Sequence, residues 1–216
     1  MPELVWIVDP STGALVVEGD VDQLGPMATD LLAAARRLEC ARPLTTAGLP
    51  TPNDSQGPTL RVAALWHGSV VEGPGRRSVL QVQGCPIRCA GCAVPETHSF
   101  DTGTVLDVDV LADALLDPIG LPRDGVTILG GEPMAQPGGL AALLRRLKSR
   151  GIHTVVYTGY TLAALASRAD SQVRAALVNT DLLIDGPYVA ALSSCAGEWR
   201  GSTNQRVIAK PASLLG

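Results

Sequence analysis

Gln83-Gly84-Cys85-Pro86-Ile87-Arg88-Cys89-Ala90-Gly91-Cys92 places three of the chain's five cysteines within eight residues, at C-x3-C-x2-C spacing. The hydrophobic run Ser78-Val79-Leu80-Gln81-Val82-Gln83 leads straight into it, so the cysteines sit on the loop that leaves a strand. Three thiolates on one short loop can hold three irons of a [4Fe-4S] cluster and leave the fourth iron without a protein ligand. A cluster built for electron transfer alone normally takes four thiolates; an open iron is what chemistry on a bound molecule requires. Two other readings compete. Structural zinc pairs its ligands as C-x2-4-C and takes four of them. His98, Cys40 or Cys195 would then complete the set, and none of them stands in a second pair. A disulfide framework fits poorly, because the cysteines are odd in number and the chain is too long to need staples.

The chain has 216 residues, 46% of them apolar, enough for one α/β domain with a small appendage. A net charge of -4 gives no electrostatic reason to expect nucleic acid or a membrane surface as partner. No apolar run has the length to cross a bilayer, and Met1-Pro2-Glu3-Leu4 lacks the pattern of a signal peptide. Free cysteines point to a reducing cytoplasm.

Along the chain, residues 4–8 and 14–18 read as a β-hairpin around the turn-rich Asp9-Pro10-Ser11-Thr12-Gly13. Leu24, Met27, Leu31, Leu32, Ala35 and Leu38 recur at helical spacing, and Cys40 follows as a small hydrophobe. Residues 43–58, with Pro43, Pro50, Pro52 and Pro58, read as a linker. The expected organisation is therefore an N-terminal hairpin-helix extension over 1–42, the linker, and a main domain over 59–216. Within that domain strands are expected at 60–66, 78–83, 126–129, 153–157, 182–184 and 206–209. Helices are expected at 105–116, 139–150 and, in two pieces, 161–178. This alternation predicts a parallel sheet with flanking helices. The special residues follow the strands: the cysteine loop, Gly130-Gly131-Glu132-Pro133, Thr158-Gly159-Tyr160 and Asp185-Gly186-Pro187-Tyr188. Loops at the carboxyl ends of parallel strands share one face, where active sites are built.

The Cys85, Cys89, Cys92 spacing followed by the Gly130-Gly131-Glu132-Pro133 loop resembles the radical S-adenosylmethionine superfamily. Over about residues 61–209 the resemblance is closer, to the activating proteins of anaerobic ribonucleotide reductases. It is carried by Gly73-Pro74-Gly75-Arg76, Gln83-Gly84-Cys85, Gly91 before the last cysteine, Thr158-Gly159-Tyr160, Asp185-Gly186-Pro187-Tyr188 and Arg200-Gly201-Ser202-Thr203-Asn204-Gln205-Arg206. The resemblance implies a partial (β/α) barrel and a [4Fe-4S] cluster on Cys85, Cys89 and Cys92. It implies that S-adenosylmethionine occupies the open iron and is cleaved to a 5′-deoxyadenosyl radical, which takes a hydrogen from a glycine near the reductase's C-terminus. Gly91, Cys92, Ala93, Gly130, Gly131, Glu132, Pro133, Thr158 and Asp185 are then expected around S-adenosylmethionine, and flavodoxin or ferredoxin as the reductant. Ala93 and Leu129 depart from the family pattern, which has an aromatic residue and a serine or threonine there; residues 1–58 have no counterpart in it. The alternatives are the same radical chemistry on a small molecule or peptide, and a non-catalytic iron-sulfur or zinc protein.

Several of these residues have a plainer reading. Glu132 either meets the cofactor's ammonium or braces its own loop, and Asp185 is a site residue or a turn-former. One of Tyr157 and Tyr160 belongs to the core, His67 and His153 are structural, and His98 is a solvated loop histidine. Arg200 and Arg206 bind a carboxylate or the partner protein, or are ordinary exposed arginines. Cys195 reads as a free thiol.

Overall fold

The computed structural model of the chain describes residues 5–8, 15–18, 57–116 and 123–215. The chain separates into two compact units, Met1–Arg42 and Pro43–Gly216. In the first, β1 (Val5–Val8) pairs antiparallel with β2 (Leu15–Glu18), with Val5 opposite Glu18. The helix expected over 24–38, Cys40 and the linker up to residue 56 lie outside the described residues.

The second unit is a mixed α/β structure built on a seven-stranded sheet. Its strands are β3 (Thr59–Ser69), β4 (Arg77–Val82), β5 (Thr104–Asp107), β6 (Gly125–Gly130), β7 (His153–Thr158), β8 (Leu182–Asp185) and β9 (Arg206–Ala209), in the order β5-β3-β4-β6-β7-β8-β9. Only β4, β6, β7 and β8 run parallel; β3, β5 and β9 pair antiparallel with their neighbours. The expectation of a parallel sheet is corrected accordingly. The connections explain it: a parallel neighbour needs a crossover, and β3 returns to β4 through a short turn. Likewise β8 reaches β9 through a loop whose one helical piece is the single turn Ala190–Leu192.

The helices are α1 (Val108–Leu116), α2 (Pro137–Ser149), α3 (Leu162–Ala166) and α4 (Ser171–Val178). Each sends an apolar stripe into one core with Leu60, Leu80, Val82, Ile128, Val156 and Leu183 from the sheet. Strand alternation puts Val155, Leu182 and Ile184 on the opposite face, where Tyr157 and Trp199 pack against them. Gly151, at φ +71°, ends α2 in a left-handed turn, with Ile152 N–H donating to the Leu147 carbonyl at 3.1 Å. Residues 105–107, expected as the start of a helix, instead belong to β5, which pairs with β3, and Asp107 Oδ1 accepts from Asp109 N–H at 2.7 Å where α1 starts.

Candidate active site

Each crossover delivers the carboxyl end of a parallel strand to the same rim, and the loops there enclose an open cleft of about 200 Å³. Cys85, Cys89 and Cys92 line it with Glu132, Thr158 and Tyr157. Gly130 and Gly131 complete the wall beneath them, and His98 and Gln205 stand at its sides. The cysteine loop is fixed by the neighbouring turn Pro95–His98: Gly84 N–H donates to the Thr97 carbonyl at 2.8 Å and Cys85 N–H to the His98 carbonyl at 3.1 Å. Gln83, buried, clamps that turn by donating Nε2–H to the Glu96 and Ser99 carbonyls at 2.9 and 2.8 Å. Between the last two cysteines, Cys92 N–H closes on the Cys89 carbonyl at 3.2 Å.

The Gly-Gly-Glu-Pro loop lies directly against the cysteine loop. Gly131 N–H donates to the Val82 carbonyl at 2.9 Å and Glu132 N–H to the Gly84 carbonyl at 2.8 Å. The glycines are needed for that approach. A Cβ on Gly131 would collide with the Gly84 carbonyl, and Gly130, at φ +110°, would put one 2.7 Å from the Val82 backbone. Their missing side chains thus make room for the neighbouring loop.

Glu132 is 1% exposed. Its carboxylate accepts from Met134 N–H at 2.8 Å, Thr158 Oγ1–H at 2.9 Å and Gly159 N–H at 2.8 Å, so it ties the β6 and β7 loops together. Burial pushes its carboxyl up to about 7 against those hydrogen bonds. It is therefore both a brace and a cleft residue, with Oε2 retaining acceptor capacity beyond its one bond. Burial also pushes the Cys85 thiol up, so a thiolate at that position needs a metal's positive charge to form readily.

The other expected residues divide. Pro133 is buried in the turn after Glu132, and Gly91 and Ala93 are exposed beside Cys92 without lining the cleft. Asp185 does not line it either. Its carboxylate is wholly buried, accepts from Leu162 N–H at 2.6 Å, and is gripped by the Arg206 guanidinium through Nε at 2.9 Å and through Nη2. His98 is half-buried on the cleft wall, where a solvated histidine was expected, and its Nε2 has no hydrogen-bond partner among the described residues. Cys195 is exposed and outside the cleft. Tyr160 packs on the helix-side core under the Arg168 guanidinium, 3.9 Å from its ring centre.

Among the described residues no three His, Cys, Asp or Glu side chains close on a single metal ion. Three thiols lining one cleft are what a polynuclear cluster asks of a protein. The sequence comparisons agree with that geometry. Residues 71–208 match the family model described as a 4Fe-4S single cluster domain. The anaerobic ribonucleoside-triphosphate reductase-activating protein of Vibrio cholerae is 36% identical over 145 residues, 63% of this chain and 89% of that protein. Its counterpart in Pasteurella multocida is 38% identical over 144 residues, with the same coverage. The chain belongs to this family. The pyruvate formate-lyase-activating enzyme of Clostridium pasteurianum is similar over a shorter span, 37% identical over 107 residues, 46% of this chain and 44% of that enzyme. With the family come its cofactors, a [4Fe-4S] cluster and S-adenosylmethionine, and membership of the radical S-adenosylmethionine enzymes.

Sequence reasoning missed three residues that build the site. Gln83 stood in the quoted stretch, but its role depends on the turn at 95–99 that only the fold brings to it. Thr97 carried no signal. Gln205 was quoted within the Arg200–Arg206 segment; its Nε2–H donates to the Gly186 carbonyl at 3.0 Å and its Oε1 accepts from Gly201 N–H at 2.7 Å, making it a wall shared by two loops.

Proposed function

We propose that this chain installs a glycyl radical on an anaerobic ribonucleotide reductase by reductive cleavage of S-adenosylmethionine. The observation that carries the reading is one open cleft lined by three thiols and by the buried Glu132, with no fourth cysteine among the described lining residues. A bound [4Fe-4S] cluster would supply the electron for reductive cleavage of S-adenosylmethionine, the chemistry that makes a hydrogen-abstracting radical. The chain's own residues do the rest. Cys85, Cys89 and Cys92 would hold the cluster. The Gly130–Glu132 loop sets the floor, and the remaining acceptor capacity of Glu132 would suit an ammonium group, whose charge would hold the carboxyl in its charged form. Thr158 keeps that carboxylate aimed. The open mouth admits a protein segment.

The reading also includes the division into an extension over 1–42, a linker over 43–58 and a catalytic domain over 59–216. It includes a curl of the helix-free sheet face into a partial barrel around the cluster, a cytoplasmic location without nucleic-acid or membrane partners, and reduction by flavodoxin or ferredoxin. The test is anaerobic reconstitution, reduction and addition of S-adenosylmethionine. Formation of 5′-deoxyadenosine is expected, and its absence from a fully loaded sample would sink the reading. Cleavage that leaves no radical on the reductase would move the substrate to a small molecule or a tailored peptide.

A further inference from the structure

We propose that the outer edge of β9 is the docking strand for the extended segment of the protein substrate that carries the reactive glycine. The inference rests on the activase reading and adds to it where that segment lies. Among the described residues β9 ends the sheet, pairing with β8 alone. The register decides which of its backbone groups face outward. Lys210 N–H donates to the Asp181 carbonyl at 2.8 Å, so the peptide joining Ala209 to Lys210 turns its N–H toward the β8 side and the Ala209 carbonyl outward. Along an antiparallel ladder bonded and non-bonded pairs alternate. Ile208 with Leu183 and Arg206 with Asp185 are then bonded, while Val207 with Ile184 and Ala209 with Leu182 are not. The N–H and C=O groups of Val207 and Ala209 therefore point away from the sheet, two residues apart, the repeat that an added strand matches.

The edge leads to the chemistry. β9 starts at the rim, because Arg206 lies opposite Asp185 at the carboxyl end of β8. Beside it an open groove is lined by Trp199, Arg200, Asn204, Gln205, Arg206 and Val207. Gln205 lines that groove and the cluster cleft alike, so the two adjoin across one buried side chain. The groove is held open by its own bonds: Arg200 Nη1–H donates to the Gln205 carbonyl at 3.3 Å and Asn204 Nδ2–H to the Pro187 carbonyl at 2.8 Å. A strand added to β9 would run beside Val207, pass Gln205 and bring its next residues to the cleft mouth. The occupant that the open edge and its place beside the cleft select is an extended peptide recognised by its main chain, with a residue at its leading end small enough to enter.

The test uses the cluster-loaded protein and a synthetic peptide spanning the glycine segment of the reductase. Amide exchange at Val207 and Ala209 is expected to slow about tenfold or more on adding the peptide, while Arg206 and Ile208, already bonded to β8, change less. Val207→Pro, which deletes one outward donor and no bond to β8, is expected to raise the peptide Kd on the order of tenfold; Val207→Thr is expected to leave it unchanged. Formation of 5′-deoxyadenosine without peptide should be the same in both variants, and its absence from the unmodified protein would count against the activase reading instead. The proposal is overturned if the peptide binds without protecting the two amides, or if Val207→Pro binds it as the unmodified chain does. It is equally overturned if the amides are protected without peptide as protein concentration rises, for the edge then belongs to a second copy. The exchange measurement needs no substitution, so a Val207→Pro chain that fails to fold leaves it decisive.

Discussion

Arg77 is wholly buried at the start of β4, and its guanidinium donates to Thr127 Oγ1 at 2.6 Å and to the Pro74, Val126 and His153 carbonyls at 2.9, 2.7 and 3.1 Å. Burial lowers its pKa to about 10, so it stays charged at neutral pH. Arg77→Met would strand those acceptors inside the protein, and we expect a loss of about 3 kcal/mol, read from the denaturant midpoint. His153, whose ring lies 3.4 Å from the same guanidinium, has its pKa lowered by burial and then by Arg77. The unfolded chain therefore binds more protons than the folded one as pH falls through about 6.5, so this contribution to stability is complete above that value and lost below it. In His153→Gln the midpoint should fall less between pH 7 and 5.5 than in the unmodified protein; equal slopes would contradict this. Residue-scale chemistry was legible where it was local. The cysteine spacing needed no fold to be read, whereas the burial of Arg77 depends on strands fifty and seventy-six positions away.

The elements meet the site through their ends. Asp185 closes β8 and serves two others, capping Leu162 at the start of α3 and holding Arg206 at the start of β9. Its place at a strand end made it a rim candidate in sequence, but what a strand-end carboxylate meets is set by chain far from it. Asp185→Ala is expected to cost about 2–3 kcal/mol, because a buried N–H and a cation lose their acceptor, and to leave S-adenosylmethionine affinity in the folded fraction unchanged. A weakened affinity at unchanged stability would return Asp185 to the cofactor. Boundaries also show why β5 was hidden. Val105 and Leu106 are apolar and run into helical spacing, so pattern alone could not separate a strand of four residues from the first turn of α1. Between α3 and α4, Asp170 caps the second helix, accepting from Gln172 and Val173 N–H at 2.8 and 3.3 Å, a local signal that the sequence reading did not use.

At the scale of the whole chain, the family match begins at residue 71 and the chain divides after Arg42. A chain starting at Pro43 is therefore expected to take up its cluster and cleave S-adenosylmethionine at an undiminished rate, measured as 5′-deoxyadenosine formed per cluster; a loss with intact cluster content would tie residues 1–42 to the chemistry. The sequence showed which loops converge, because alternating strands and helices put strand ends on one face. It did not show that three strands turn antiparallel, since a connection without a crossover helix leaves no periodic trace. The central claim is that the radical made in this cleft ends on another protein. The most direct measurement is the electron paramagnetic resonance spectrum of the anaerobic reductase incubated with the reduced, cluster-loaded chain and S-adenosylmethionine. The account predicts a glycyl radical signal in the reductase that requires S-adenosylmethionine and vanishes with Cys92→Ser. Formation of 5′-deoxyadenosine with no such signal, or a signal that survives Cys92→Ser, would contradict it.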